Sequence, residues 1–515
     1  MRAPTEGPGP GPLEASFFVE ALRANPAGFV FVGLVVHALL WTLVPFVSEA
    51  TPDPRLLVGA ALGRELQLGY ADTPPLAPWL TALVHWLLGI NAMLALGPLA
   101  VAVAGWLVFK LGRQIVGERH AAIATLIMVG VHPVAFPIEA FDGNVLSIPL
   151  AAFAVLSWWR ALRDRTSGDL MLFAAAVALL VYAGGQGLFI FLALSAFAAA
   201  TPEGRATLSR YAVDNSALIA AAVFLIVLIP RLLWLALYRF DGAAPAPGAG
   251  IDLGVFVGSL AVIGGVILGH VGLVVLVVLG SPLLASDRAT APSFVRPSLD
   301  AFTRRAVVVI ALAPALAAGV LALVFGWKTP IVAAAPLLLY LGLLAIMLGG
   351  DVIKISRQRA AALAAIVLLV LPPALETATN IISPWVAEAG RATNFPAAEA
   401  ARRVTDAFRA RTGRPLAIIA GDTDMAGAIA LYSADRPRFF PGADSRRAPW
   451  IDETELHAAG AVVVWRAEGP GSAPPIEIAA RLPGLVPEAP LALPWARPGR
   501  LDPVRIGWAI LPPGR

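Results

Sequence analysis

Carboxylates and guanidinium groups recur in this chain at the edges of apolar segments, where side chains can meet a substrate at a membrane surface. The densest group is Gly63-Arg64-Glu65-Leu66-Gln67-Leu68-Gly69-Tyr70-Ala71-Asp72-Thr73-Pro74-Pro75-Leu76-Ala77-Pro78-Trp79-Leu80, with Asp53 shortly before it, flanked by Pro52 and Pro54. Glu139, Asp142 and Asn144 form a second group, while Arg231 and Lys328 sit at the ends of other apolar stretches. A carboxylate beside an alcohol can take its proton, and a guanidinium or ammonium group can hold a phosphate. Each residue also has a structural alternative. Asp53 suits a helix cap, Asp72 a turn before Pro-Pro, and Asp142-Gly143-Asn144 a turn opening a helix. Basic residues at span ends commonly reach toward lipid head groups, so Arg64, Arg231 and Lys328 keep that alternative. Acids at a membrane boundary with no basic partner in their loop favour substrate contact, which keeps both readings open for Glu139 and Asp142.

Other chemistry is excluded or weakly supported. The chain has no cysteine, which rules out disulfides, thiolate metal sites and thiol catalysis. No two of His37, His85, His120, His132, His270 and His457 have the spacing of a helical metal site, so no metal centre and no cofactor are expected. Gly421-Asp422-Thr423-Asp424 lacks the glycine spacing of a nucleotide site and reads as a strand-to-helix connection.

These residues are carried by elements built for lipid. The sequence is 58% hydrophobic and 14% charged, against about 45–50% and about 25% in soluble domains. Apolar stretches near the length needed to cross a bilayer recur between Phe29 and Leu375. Eleven spans are expected, with Pro75 to Leu88 as a re-entrant or interfacial helix and 253–283 as one span or a broken one. The basic residues cluster in alternate loops: Lys110 to Arg119, Arg160 to Arg165, Arg205 with Arg210, Arg288 to Arg305, and Lys354 to Arg359. With Met1 cytoplasmic and eleven spans, all of these loops fall inside. Clusters of this kind argue for membrane orientation and against nucleic-acid binding, at a net charge of only +4.

Three parts follow: a cytoplasmic N-terminal segment over 1–28, a membrane domain over 29–375 with an external loop at 48–75, and a soluble domain over 376–515. In the last, periodicity predicts a helix over Pro396 to Ala410, a strand over Pro415 to Ala420 and a helix over Met425 to Tyr432. A strand over Arg438 to Pro441, a helix over Glu453 to Ala459 and a strand over Ala461 to Trp465 come next. Such alternation suggests a small α/β domain on the external side.

The first-loop motif Gly69-Tyr70-Ala71-Asp72-Thr73-Pro74-Pro75-Leu76 with Trp79-Leu80 resembles glycosyltransferase family 39 of the GT-C superfamily, which includes protein O-mannosyltransferases and the lipid A aminoarabinose transferase. Phe141-Asp142-Gly143-Asn144, Pro230-Arg231-Leu232-Leu233-Trp234, Ala420-Gly421-Asp422 to Tyr432-Ser433 and Pro449-Trp450-Ile451-Asp452 extend the likeness. It implies a GT-C-like fold in a bacterial inner membrane, with the C-terminal domain periplasmic. It also implies inverting transfer of a sugar from a polyprenyl phosphate to a lipid, glycan or protein acceptor. On this reading Asp53 or Asp72 is the catalytic base. Glu139, Asp142, Asn144, Glu65 and Tyr70 hold substrate, and Arg64, Arg231 and Lys328 hold the donor phosphate. Arg55 stands where the family's first-loop acid is expected, Thr73 replaces a histidine, and Arg231 occupies a place where histidine is common.

Two other classes remain open. A transporter or flippase of lipid-linked sugars would show internal repeats and mid-membrane charges. A degenerate family member would bind the glycolipid without transferring its sugar.

Overall fold

The computed structural model describes residues 17–71, 73–128, 141–238, 293–325, 337–355, 358–387, 389–467 and 473–514, with isolated positions between 253 and 264. The segment 265–283, much of the longest apolar stretch, therefore lies outside the described residues.

A short amphipathic helix, α1 (Phe17–Ala24), leads into α2 (Pro26–Ser48), which starts where Asn25 accepts from the Gly28 N–H at 2.9 Å and proline takes the first turn. Two helices too short to cross a bilayer follow, α3 (Pro54–Gly63) and α4 (Leu76–Leu88). Then come α5 (Leu96–Val116), α6 (Glu118–Ile127), α7 (Gly143–Arg163), α8 (Ser167–Ala183), α9 (Gln186–Ala200), α10 (Pro202–Val213) and α11 (Ser216–Tyr238). A two-stranded antiparallel sheet pairs β1 (Ser293–Val295) with β2 (Val352–Lys354), and between these strands run α12 (Ala301–Phe325) and α13 (Leu341–Leu348). The last membrane helix, α14, covers Gln358–Val386, so it runs on past Glu376, where the composition turns polar.

Among the described residues six helices are long and apolar enough to cross a membrane, or seven if the pair α9–α10, bent by 100°, counts as one. That is fewer than the eleven expected from hydropathy. The spans expected at 121–137, 253–283 and 331–348 lie wholly or partly outside the described residues, and α4, with 13 residues, is short, as expected for Pro75 to Leu88.

The basic loops meet at one end of the bundle. Arg163 pairs with Asp300 at 3.6 Å, Arg119 lies over the Phe294 ring, and Arg296 is buried against Asp351 at 3.0 Å. The opposite end carries the C-terminal domain. Its first helix, α15 (Ala397–Thr412), ends at Gly413 in the left-handed conformation. The rest comprises β3 (Ile418–Gly421), α16 (Thr423–Tyr432), β4 (Arg438–Pro441), α17 (Glu453–Ala459), β5 (Ala461–Arg466), α18 (Ile476–Arg481), β6 (Leu491–Leu493) and β7 (Val504–Leu511). The sheet order is β4-β3-β5-β7-β6, with β4, β3 and β5 parallel and the two late strands antiparallel. The α/β reading therefore holds. The final antiparallel pair, which the sequence pattern did not single out, completes the sheet.

A single apolar cluster runs from α3 (Leu56, Leu57, Ala60) through Tyr70 and Phe141 into α15, α16 and the sheet (Phe408, Ile419, Val464). The first loop and the C-terminal domain thus share a core, which fixes their relative geometry at that end.

Candidate active site at the junction of membrane and C-terminal domains

Where α2 ends, the chain is pinned to the strap leading into the C-terminal domain. The Ala50 and Thr51 N–H groups both donate to the Thr393 carbonyl, at 3.1 and 2.9 Å, and Thr51 Oγ1 donates to the Phe395 carbonyl at 2.6 Å. Glu49, the first residue after α2, sits half-buried in this fold of chain. Asn380 Nδ2 reaches its Oε1 at 3.4 Å, and the Glu376–Arg391 ion pair, at 3.0 Å, lies close by. Burial pushes the Glu49 carboxyl up to about 7, with Asp53 and Glu376 adding to the rise and Arg391 opposing it. A carboxyl with that balance is poised to exchange a proton near neutral pH.

Asp53 caps α3, accepting from the Arg55 N–H at 2.8 Å. Asp142 caps α7, accepting from the Asn144 and Val145 N–H groups at 2.8 and 3.1 Å. Arg55 joins the two: its guanidinium is 4.0 Å from Asp53 Oδ1 and 3.9 Å from Asp142 Oδ2. The residue that stands where an acid was expected therefore bridges two acids that the sequence separates by nearly ninety positions. Both helices aim their N-terminal ends at this place, a favourable environment for an anion.

The floor under Asp142 is built by close approach. A Cβ on Gly143 would lie 1.8 Å from the Ala183 carbonyl oxygen, so only glycine lets α7 start against the end of α8. Beyond that end, at the Gly184-Gly185 break, Gln186 donates to Asn144 Oδ1 at 2.7 Å. A break without an expected role thus orients one of the candidate substrate residues.

The first-loop motif is clamped from two sides. From the membrane, Arg231 on α11 donates to the Leu68 carbonyl at 2.6 Å and lies over the Tyr182 ring. Trp234 donates to Gln67 Oε1 at 3.3 Å, and Trp79 donates to the Gln67 carbonyl at 2.9 Å. A Cβ on Gly69 would stand 2.5 Å from the Trp234 ring and 2.8 Å from Arg231 Nη1. Arg231 is 9% exposed, and its Nε has no hydrogen-bond partner among the described residues.

From the C-terminal domain, Arg438 makes a two-point pair with Glu65 (3.1 and 2.7 Å) and another with Glu455 (2.5 and 2.6 Å). Arg64 donates to the Ala430 and Arg436 carbonyls, at 3.3 and 2.9 Å. Tyr70 is buried edge-on to Trp450, and burial holds its phenol above the usual range. The structure thus places Glu65, Arg64 and Tyr70 at the contact between loop and C-terminal domain. Asp72, Glu139 and Lys328 lie outside the described residues.

Glu49, Glu376, Asn380, Arg391 and Arg55 escaped the sequence reading. Arg55 stands fifteen residues before Tyr70, where the resemblance puts the acid. The simpler signal was the first carboxylate after the first span, which is Glu49. Glu376, Asn380 and Arg391 carried no local signal, since α14 is far away in sequence. No group of three or more metal-ligating side chains is found among the described residues.

Residues 72–234 match the family model described as dolichyl-phosphate-mannose-protein mannosyltransferase. No curated protein matches the sequence. Among solved structures the chain is similar to ArnT from Cupriavidus metallidurans bound to undecaprenyl phosphate. The TM-score is 0.55 at 14% identity, covering 94% of this chain and 98% of that one. The apo state of the same protein gives 0.54, again at 14% identity and with the same coverage. A match to the Archaeoglobus fulgidus oligosaccharyltransferase in the apo form, 13% identical over 85% of this chain and 69% of that one, reaches 0.38 and carries no weight. The chain shares the fold of that ArnT structure.

Proposed function

We propose that the protein is a membrane glycosyltransferase that moves a sugar from a polyprenyl phosphate to an acceptor hydroxyl, at the end of the bundle bearing the C-terminal domain. The observation that carries this reading is the convergence of Glu49, Asp53 and Asp142 beside two helix N-termini at the head of an apolar helix bundle. The family match over 72–234 and the fold shared with ArnT support it.

The acceptor oxygen attacks the anomeric carbon on the face opposite the phosphate, and the bond from that carbon to the phosphate oxygen breaks. Its electron pair leaves on the phosphate, and the hydroxyl proton passes to a carboxylate. Inversion and free polyprenyl phosphate are the products. Glu49 is the preferred base, because burial tunes its carboxyl close to neutrality. Asp53, with Asp72 as an alternative from the motif, takes the neighbouring role, and Asp142 with Asn144 holds substrate. Arg231, which donates to the Leu68 carbonyl, and Arg55, beside the Asp53 and Asp142 carboxylates at the helix N-termini, suit the departing phosphate. The bundle end rich in arginine faces the cytoplasm on this reading, and the C-terminal domain faces the periplasm of a bacterial inner membrane.

Glu49→Gln, Asp53→Asn and Asp142→Asn, assayed with a radiolabelled polyprenyl-phosphate sugar, should each lose transfer, Glu49→Gln by about 10²-fold or more. Full activity in all three removes the assignment. One observation favours a second reading, a binder without catalysis. The Asp53 and Asp142 carboxylates both cap helices and share Arg55. Purified protein that retains the donor lipid and stays inert with every acceptor offered would select it.

A further inference from the structure

Between the first external loop and the C-terminal sheet lies a cavity of about 300 Å³. Thr51 and Pro54 form its membrane-side wall, Phe395 and Trp495 bring aromatic rings, and Asp424 and Arg466 face it from the C-terminal domain. We propose that this cavity is the acceptor subsite and that it takes a neutral saccharide. The inference rests on the sugar-transfer reading and deepens it by naming the acceptor class.

Strand topology is the first support. The connection leaving β3 carries the chain to β4 on one side, and the connection leaving β4 brings β5 in on the other side of β3. The gap between β3 and β5 is therefore the point where the winding direction reverses, and open α/β sheets take ligands just beyond the carboxyl ends of their strands at that point. Those ends are Gly421-Asp422 and Arg466, and Asp422 and Arg466 both line the cavity.

Position is the second support. Thr51 and Pro54 bracket Asp53 in the chain, and Glu49 lies two residues before Thr51. A molecule filling the cavity thus borders the loop segment that holds the carboxylate cluster. Chemistry is the third. Two aspartates beside a guanidinium offer acceptors and donors to paired hydroxyls, and the rings of Phe395 and Trp495 suit the apolar face of a pyranose.

Charge decides between acceptor types. Among the described residues Glu49, Asp53, Asp142, Glu376, Asp422 and Asp424 outnumber the cations near them, Arg55, Arg391, Arg466 and Arg497, the last of which donates to the Val47 carbonyl at 2.6 Å. A phosphate acceptor would add to that excess of negative charge, whereas a neutral polyol would not. An extended peptide needs a groove longer than this cavity.

The test uses the full-length protein in nanodiscs. The probes are fluorescently labelled neutral trisaccharides of mannose, glucose, galactose and arabinose, a glucosamine phosphate, a serine/threonine-rich peptide and undecaprenyl phosphate. At least one neutral trisaccharide should bind saturably, and Asp424→Asn and Arg466→Gln should each weaken it by tenfold or more. Undecaprenyl phosphate affinity should stay within twofold in both variants. Asp424 and Arg466 are solvent-exposed at the cavity rim, so both variants keep the fold, which a thermal unfolding curve checks. The proposal is overturned by saturable binding of no neutral trisaccharide, by unchanged binding in both variants, or by stronger binding of the phosphorylated sugar or the peptide. Failure of the wild type to bind undecaprenyl phosphate would instead sink the broader sugar-transfer reading.

Discussion

Glu49 gives the sharpest test of the site, because its behaviour depends on neighbours that can be removed one at a time. Its carboxyl is raised from 4.5 to about 7. If it is the base, about a tenth is ionised at about pH 6 and about nine-tenths at about pH 8. Transfer should therefore rise nearly tenfold between those values and level off above, while an ordinary glutamate would give a flat profile there. Glu376→Gln removes a neighbour that raises the carboxyl and should move the limb to lower pH. Arg391→Gln removes one that lowers it and should move the limb up.

Stability has its own sign. A folded-state value above the unfolded one means that the native protein takes up a proton as pH falls from about 7 to 4.5. The stabilisation is complete below 4.5 and lost as pH rises through about 7. The shift corresponds to roughly 3 kcal/mol at most, less after solvent screening. Glu49→Gln should thus raise the thermal midpoint above about pH 7 while abolishing the rate limb, and radiolabelled donor turnover with scanning calorimetry in the same nanodiscs reads both. A pH–rate profile flat from about 6 to 8 in the wild type, or an unchanged rate in Glu49→Gln, refutes the reasoning.

Other outcomes follow from the same geometry. Arg438→Met strands Glu65 and Glu455 and should cost about 2–3 kcal/mol, discounted for partial exposure, with faster hydrogen exchange over residues 64–70. Arg438→Lys should recover less than half of that, since one ammonium cannot serve two carboxylates bidentately. Gly69→Ala drives a methyl group into Trp234 and Arg231 and should destabilise by about 1–3 kcal/mol with loss of transfer, measured beside Gly33→Ala, whose Cβ would meet open space. Arg231→Met should weaken undecaprenyl phosphate binding by about tenfold by titration in nanodiscs, and equal affinity would free Arg231 of a phosphate role.

Much of this protein was written in local sequence. Hydropathy announced a membrane bundle, since apolar runs have no other favourable solvent, and arginine clusters marked its other end. Caps, prolines and glycines placed α2, α7 and α15 to within a few residues, because each of these signals acts on backbone groups a turn away, whereas α3 falls inside the interval read as a loop. Arg438–Pro441 and Glu453–Ala459 were legible to the residue. Six of the crossings, or seven with the bent pair α9–α10, are long apolar helices among the described residues.

What tertiary structure alone decided is the partnership of charges. That Arg55 joins Asp53 to Asp142, that Arg438 holds Glu65, and that Glu376, Asn380 and Arg391 surround Glu49 depends on chain segments brought together only by folding. Electrostatic interaction reaches across space and ignores chain order, so the tuning of Glu49 cannot be read from its own neighbours in sequence. Local chemistry chose the elements, and the packing around the end of α2 chose the partners of Glu49.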